Sequence, residues 1–159
     1  MIKVLVAEDA RQVRETLVAL LGLEDDIEVA AVLAAGDQVV PAALEHRPDV
    51  ALLDIGLPGT DGITAAAELA RRLPGCRVLI LTGMAMPDAL SAALRAGVSG
   101  YLLKEGSANH LIGAVRAVAR GDRVIDGRLA GQPPDGERGS PRPASQKLPP
   151  MGWVAWPLA

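Results

Sequence analysis

The sequence has few of the residues that mark several common classes of protein. Its 159 residues include one cysteine, Cys76, so no intrachain disulfide can form. Phenylalanine is absent, and the aromatic residues are one tyrosine and two tryptophans, so an apolar core must be aliphatic. No apolar run is long enough to cross a bilayer and no signal-peptide pattern precedes the first strand, so we expect a cytoplasmic protein. The net charge of −3 argues against nonspecific binding to nucleic acid.

Short apolar runs alternate with helical patterns over residues 1–121. The runs contain no polar alternation, which is typical of strands buried on both faces of a parallel sheet. Five such strand–helix units predict an α/β fold, a doubly wound five-stranded parallel sheet with helices on both faces. The predicted strands are 2–7, 27–33, 50–53, 77–82 and 98–103, and the predicted helices are about 10–21, 36–46, 63–73, 87–96 and 108–120. Pro41 would clash in a helix interior, so the second helix either has Pro41 in its first turn or begins late, near Val39.

Charged and hydroxyl side chains stand where four of the predicted strands end. Glu8 and Asp9 follow the first strand, Asp54 the third, Thr82 closes the fourth, and Lys104 follows the fifth. The carboxyl ends of parallel strands share one edge, where open α/β sheets bind ligands. Three adjacent carboxylates repel one another, and Mg²⁺ is a natural counter-charge for oxygen ligands. The pattern therefore predicts a Mg²⁺ site at which Asp54 is a candidate nucleophile for a phosphoryl group.

Each of these residues alone also has a purely structural explanation. Glu8, Asp9 or Asp54 would serve as a cap of a loop or helix, Thr82 as a β-branched strand residue, and Lys104 as a solvated charge. Their shared position favours the functional interpretation, because every one of them is the last residue of a predicted interior strand or follows it closely.

Four motifs that contain these residues resemble the receiver domain of two-component response regulators. The resemblance covers about residues 1–121 and implies the flavodoxin-like fold of a signalling protein, not a turnover enzyme. The motifs are Val-Ala-Glu8-Asp9, Leu-Leu-Asp54-Ile-Gly-Leu-Pro58-Gly59 followed by Asp61-Gly62, Leu-Thr82-Gly, and Gly100-Tyr101-Leu-Leu-Lys104.

The resemblance implies a chemical role for each residue at the strand ends. Asp54 would accept a phosphoryl group from the phosphohistidine of a sensor histidine kinase. Glu8 and Asp9 would hold Mg²⁺ together with Asp54 and the backbone carbonyl of Gly56. Lys104 would pair with the phosphoryl oxygens.

The resemblance also implies a switch that reads the phosphorylated state. Thr82 would be drawn toward the phosphoryl group, and the ring of Tyr101 would then turn inward and alter the surface of helix four, strand five and helix five. A phosphorylation-dependent homodimer is an expected consequence. Ile112 and Ala119 on helix five and Val18 on helix one are candidates for its apolar face.

The segments Ala-Gly-Val-Ser-Gly-Tyr-Leu-Leu-Lys and Ala-Val-Arg-Ala-Val-Ala-Arg-Gly are similar to receivers of LuxR-type transcription regulators, which carry a C-terminal helix-turn-helix. Residues 122–159 do not follow that pattern. Seven of the twelve prolines lie after residue 121, and no basic recognition helix is present. We predict a Pro/Gly-rich linker or disordered tail, which argues against DNA binding by this chain. Trp153 and Trp156 are either a short docking motif or exposed residues without a function.

A receiver pattern followed by a Pro/Gly-rich segment has three explanations that the sequence does not separate. The chain is a stand-alone receiver, a truncated gene product, or a regulator that lost its output domain through a reading-frame change. Two other functions also stay open. A haloacid-dehalogenase-like phosphatase sets a nucleophilic Asp, a Thr and a Lys around Mg²⁺, but it needs a second Asp where this chain has Gly56. A pseudo-receiver would bind partners without phosphorylation.

Overall fold

The computed structural model describes residues 1–83 and 87–126. Strands and helices alternate along the chain, and the strands form one parallel sheet in the order β2-β1-β3-β4-β5-β6. The strands are β1 (Ile2–Ala7), β2 (Ile27–Leu33), β3 (Val50–Asp54), β4 (Arg77–Thr82), β5 (Gly100–Leu103) and β6 (Val124–Ile125). The helices are α1 (Arg11–Gly22), α2 (Val39–His46), α3 (Gly62–Arg72), α4 (Pro87–Arg95) and α5 (Ala108–Ala119), with a 3-10 turn at Gly36–Gln38.

The doubly wound parallel fold is confirmed, but the sheet has six strands where the sequence predicted five. The extra strand, β6, places Val124 beside Gly100 and Ile125 beside Tyr101. Both residues lie in the segment 122–159, which was predicted to be a linker or disordered tail. Two apolar residues are too few to show a periodic pattern, so only the contact with β5 reveals the strand. The division of the chain at residue 121 stays a prediction, and most of the predicted tail, including both tryptophans, lies outside the described residues.

The sheet separates two apolar layers, and β3 shows why its residues must be apolar throughout. Successive side chains of a strand point to opposite faces. Val50 and Leu52 pack in the layer that contains α1 and α5, whereas Ala51 and Leu53 pack in the layer that contains α2, α3 and α4. Because helices cover both faces, no position on this strand reaches solvent before Asp54.

One candidate for the homodimer face is wrong. Ile112 is only 6% exposed and belongs to the apolar layer between α5 and the sheet. The buried stripe of α5 is wider than the sequence analysis assumed, as is usual for a helix that packs on a sheet. Ala119 and Val18 are partly buried.

Side-chain oxygens cap the first turns of two helices, α3 and α5. The Asp61 carboxylate accepts a hydrogen bond from the Thr64 amide at 2.8 Å, and the Ser107 hydroxyl accepts one from the His110 amide at 3.0 Å. Such caps satisfy amides that the first turn of a helix leaves without a partner. Every helix in the described part of the chain is too short or too polar to cross a membrane.

Replacement of Asp61 tests the capping role. We expect Asp61→Ala to lower the free energy of unfolding by about 1 kcal/mol, because the Thr64 amide loses its acceptor. Asp61→Asn should be nearly neutral, since an asparagine oxygen caps equally well. Urea denaturation of the three proteins measures the difference, and equal losses in both variants would contradict the role of the side-chain oxygen.

Candidate functional site

Three carboxylates meet at the carboxyl edge of the sheet. Glu8 and Asp9 follow β1, and Asp54 is the last residue of the adjacent strand β3. One oxygen from each of the three lies within 4.8 Å of the other two. Glu8 is 1% exposed and Asp54 is 8% exposed, whereas Asp9 is exposed. The predicted convergence of these side chains is therefore confirmed.

Lys104 places a positive charge between the two buried carboxylates. It follows β5, and its Nζ lies 2.8 Å from Glu8 Oε1 and 3.0 Å from Asp54 Oδ1. The Lys104 side chain is itself about 10% exposed, so water screens these ion pairs weakly. The resemblance implied that Lys104 pairs with phosphoryl oxygens, and its ion pair with Glu8 was not predicted.

Burial dominates the ionisation of the site. It raises the pKa of Glu8 above its ordinary value, although Lys104 and the Ala10 amide act in the opposite direction. It also raises the pKa of Asp54; Lys104 opposes this shift, and the charge of Asp9 adds to it. Burial alone would lower the pKa of Lys104, but its contacts with Glu8 and Asp54 raise the net value. When all of them are ionised, the three carboxylates carry more negative charge than the one ammonium of Lys104 neutralises.

The donor set of this cluster fits a hard divalent cation. The oxygens of the three carboxylates converge within 4.8 Å, and Mg²⁺ prefers such ligands, of which it usually takes one or two from carboxylates. A bound cation would also offset the repulsion between Asp54 and Asp9.

Gly62 allows the loop after β3 to pass close to the Asp54 backbone, and Gly56 in the same loop lies near the Asp54 carboxylate. A methyl group on Gly62 would lie 2.3 Å from the carbonyl oxygen of Asp54, so no larger residue fits there without a backbone shift. The Gly62 amide donates to the carbonyl oxygen of Ile55 at 2.9 Å, which fixes this turn. A methyl group on Gly56 would lie 3.8 Å from Asp54 Oδ2, so the Gly56 backbone runs beside the carboxylate.

Thr82 and Tyr101 lie beside this cluster. Thr82 closes β4, one residue beyond the partner of Asp54 in the sheet, and is 5% exposed. Its carbonyl oxygen accepts a hydrogen bond from the Lys104 amide at 2.8 Å. The Tyr101 side chain is fully buried, which raises the pKa of its phenol, while the neighbouring Thr82 side chain opposes this shift. The ring of Tyr101 is therefore buried in this structure.

Two residues near the site were not anticipated from the sequence. Arg14 Nη1 donates to the carbonyl oxygen of Glu8 at 2.8 Å and lies 3.4 Å from that of Asp9, which fixes the turn after β1. Asp126 Oδ2 accepts a hydrogen bond from the Leu103 amide at 3.3 Å, just before Lys104. An arginine on a helix and an aspartate in a Gly/Pro-rich stretch are common, so neither gave a signal.

Residues 4–116 match the family of the response regulator receiver domain. The chain belongs to this family. It is 40% identical over 124 residues to the transcriptional regulatory protein DesR of Bacillus subtilis, a match that covers 78% of this chain and 61% of DesR. It is 35% identical over 128 residues to the oxygen regulatory protein NreC of Staphylococcus carnosus, covering 80% of this chain and 59% of NreC. The chain thus spans about three fifths of these relatives.

Solved receiver structures agree with this assignment. The signal receiver domain of NarL from Mycobacterium tuberculosis superposes with a TM-score of 0.73 at 32% identity, over 76% of this chain and 97% of that one. A DNA-binding response regulator of the LuxR family from Staphylococcus aureus gives a TM-score of 0.72 at 29% identity, over 75% of this chain and 99% of that one. The predicted resemblance to receivers of LuxR-type regulators is confirmed.

The chain is therefore a response regulator receiver of two-component signal transduction, and it belongs to a signalling family rather than to a family of conventional enzymes. Receivers bind Mg²⁺ at an acidic pocket and are phosphorylated by sensor histidine kinases, and this chain has an acidic cluster of Glu8, Asp9 and Asp54.

Proposed function

We propose that Asp54 accepts a phosphoryl group from a sensor histidine kinase in a Mg²⁺-dependent reaction, and that the new charge switches the conformation or dimerisation of the chain. The observation that carries this proposal is the position of the Asp54 carboxylate. It ends an interior strand, is 8% exposed, and lies 3.0 Å from an ammonium group and within reach of two further carboxylates.

The chemistry follows from the contacts of Asp54. A carboxylate oxygen of Asp54 attacks phosphorus, a P–O bond forms, and the P–N bond to the imidazole of the kinase breaks. Lys104 counteracts the effect of burial on the pKa of Asp54, so it keeps a larger share of the nucleophile ionised. The same ammonium is placed to neutralise charge on the phosphoryl oxygens, which is the main contribution that a protein makes to phosphoryl transfer.

Mg²⁺, when bound, neutralises negative charge around the transferred group. Glu8, Asp9 and Asp54 would hold the ion together with the carbonyl oxygen of Gly56, whose backbone lies beside Asp54.

The switch is proposed to start from Thr82 and Lys104. An aspartyl phosphate adds a dianionic group with oxygens that accept strong hydrogen bonds. The hydroxyl of Thr82 and the ammonium of Lys104 are the groups expected to turn toward it. The Lys104 amide is hydrogen-bonded to the carbonyl oxygen of Thr82, so we expect movement of either residue to displace the other. Because the Thr82 side chain lies next to the Tyr101 hydroxyl, we expect the displacement to reach the buried ring of Tyr101 as well.

Mass spectrometry with a matched pair of variants tests the acceptor. We expect incubation with acetyl phosphate and Mg²⁺ to add one phosphate to the intact wild-type chain, and Asp54→Asn to abolish the adduct. Asp61→Asn is the control, because it removes a carboxylate from the loop that follows Asp54 and keeps an oxygen that caps α3. Chelation of Mg²⁺ should suppress labelling of the wild type.

Three results would contradict the proposal. A wild-type chain without an adduct would identify a pseudo-receiver, and equal labelling of Asp54→Asn would place the acceptor elsewhere. Rapid multiple turnover of a phosphate monoester would favour the phosphatase. Sedimentation of the same samples tests the dimerisation part, since an unchanged monomer before and after phosphorylation would exclude a phosphorylation-dependent homodimer.

A further inference from the structure

The segment after α5 returns to the sheet and ends its pairing with a side chain. The Val124 amide donates to the carbonyl oxygen of Ser99 at 2.9 Å, and the Asp126 amide donates to that of Tyr101 at 2.9 Å. Two residues further along β5, the Leu103 amide donates to Asp126 Oδ2 at 3.3 Å. Asp126 is 1% exposed, so this carboxylate has been brought fully into the protein.

The amide that donates to Asp126 belongs to the residue directly before Lys104. Leu103 is the last residue of β5, and Lys104, whose ammonium contacts Asp54, comes directly after it. On the other side of β5, the Lys104 amide donates to the carbonyl oxygen of Thr82. The end of β5 is therefore held from one edge by Asp126 and from the other by the strand that carries Thr82.

A buried carboxylate needs a reason to be there, because its desolvation is costly unless it makes hydrogen bonds. Asp126 also lies beyond residue 116, where the match to the receiver family ends. In DesR and NreC, of which this chain spans about three fifths, the matched portion is only part of a longer protein. A contact from this segment to the end of β5 is a direct physical connection between the receiver and residues beyond its matched portion.

We infer that Asp126 is a positioning residue: its hydrogen bond to the Leu103 amide fixes the backbone from which Lys104 reaches Asp54, and so couples residues 122–126 to phosphorylation. This inference rests on the proposed function of Asp54. Coupling of this kind is reciprocal in binding free energy. A change in the segment should alter the reaction at Asp54, and phosphorylation should alter how tightly the segment is held.

The rate of phosphorylation in the full chain tests the inference. We expect Asp126→Ala to slow adduct formation from acetyl phosphate about tenfold in saturating Mg²⁺, since a small misplacement of a group at a reacting centre costs up to about a hundredfold. Asp126→Asn keeps an oxygen acceptor and should restore most of the rate. Asp122→Ala is the control, because Asp122 lies in the same segment but pairs with Arg120 at the surface, at 3.2 Å.

A double-mutant cycle separates positioning from a general structural role. If Asp126 acts through Lys104, Asp126→Ala should have almost no further effect on the rate in a Lys104→Ala background. Amide hydrogen exchange supplies a second readout: Asp126→Ala should reduce protection at Leu103 and at Lys104, and phosphorylation of the wild type should change protection at Asp126. Asp126→Ser replaces Asp126→Ala in every step if circular dichroism shows that the alanine variant does not fold.

The outcomes distinguish this inference from the proposed function. A wild-type chain that takes up no phosphoryl group overturns both. A labelled wild type with an equally fast Asp126→Ala variant overturns the inference alone. The inference also fails if Asp126→Ala slows labelling by the same factor with and without Lys104, because the residue would then act only on overall structure.

Discussion

Lys104→Ala is expected to lower the free energy of unfolding by about 3 to 5 kcal/mol in Mg²⁺-free buffer at neutral pH, the usual cost when one partner of a buried ion pair is removed. The variant leaves Glu8, which is 1% exposed, and Asp54, which is 8% exposed, without their cation. Mg²⁺ should restore much of the lost stability and should bind as tightly as in the wild type or more tightly, since a neighbouring positive charge is gone.

Acidic pH should also restore the stability of the Lys104→Ala variant. Burial raises the pKa of Glu8 above its ordinary 4.5 and that of Asp54 above its ordinary 3.8, so the folded chain retains protons that the unfolded chain has released. Stability from this protonation is complete below the ordinary pKa values and is lost as the pH rises through the raised ones. Lys104 opposes both shifts, so its removal raises the pKa values of Glu8 and Asp54 further. The pH range over which the variant loses this stability therefore extends to higher pH.

Urea denaturation at neutral and acidic pH, with EDTA and with Mg²⁺, measures this effect. Arg11→Ala is the matched control, because it removes a cation from the exposed pair with Glu15, in which the Arg11 side chain is 81% exposed. Exposed pairs contribute about 1 kcal/mol or less. Equal losses in Lys104→Ala and Arg11→Ala, or a loss that neither Mg²⁺ nor acid reduces, would show that the buried charge does not govern the stability of the site.

The members of the site were predictable because a simple rule places them. Each apolar run that forms an interior strand ends in a polar side chain: Glu8, Asp54, Thr82 or Lys104. Parallel strands bring their carboxyl ends, and therefore these side chains, to the same edge of the sheet. The contacts among them were not predictable. Lys104 contacts Glu8 although β5 and β1 are separated in the sheet by β3 and β4. This contact depends on the relative positions of two strands that are not neighbours, and a pattern along the chain does not give those positions.

Errors arose where three-dimensional contacts override a local pattern. Residues 122–126 lie next to a stretch rich in proline and glycine, yet β6 forms because β5 offers an unpaired edge beside it. Ile112 lies at the margin of the apolar stripe of α5, and its packing in the layer between α5 and the sheet covers it. A pattern along the chain fixes the period of a helix better than the width of its buried face.

Gly36→Ala is expected to cost roughly 3 kcal/mol of unfolding free energy, toward the upper end for a residue that overfills its space. Gly36 begins the 3-10 turn after β2, and its amide donates to the carbonyl oxygen of Pro58 at 2.9 Å. A methyl group there would lie 1.5 Å from the carbonyl oxygen of Thr60 and 2.6 Å from its carbon. These are backbone atoms, so no side-chain rotation relieves the overlap, and the loop between β3 and α3 must move.

That movement should reach the chemistry, because the same loop carries Gly56 beside the Asp54 carboxylate. We therefore expect Gly36→Ala to weaken Mg²⁺ binding and to slow phosphorylation of Asp54 several-fold, under conditions in which the variant stays folded. Gly113→Ala is the control: Gly113 lies on the exposed side of α5 with no atom within 4 Å of an added methyl group. Alanine in a helix interior should raise stability there by about 0.5 to 1 kcal/mol. If Gly36→Ala instead matched Gly113→Ala in stability and in Mg²⁺ affinity, the close approach of the two loops would not constrain the site.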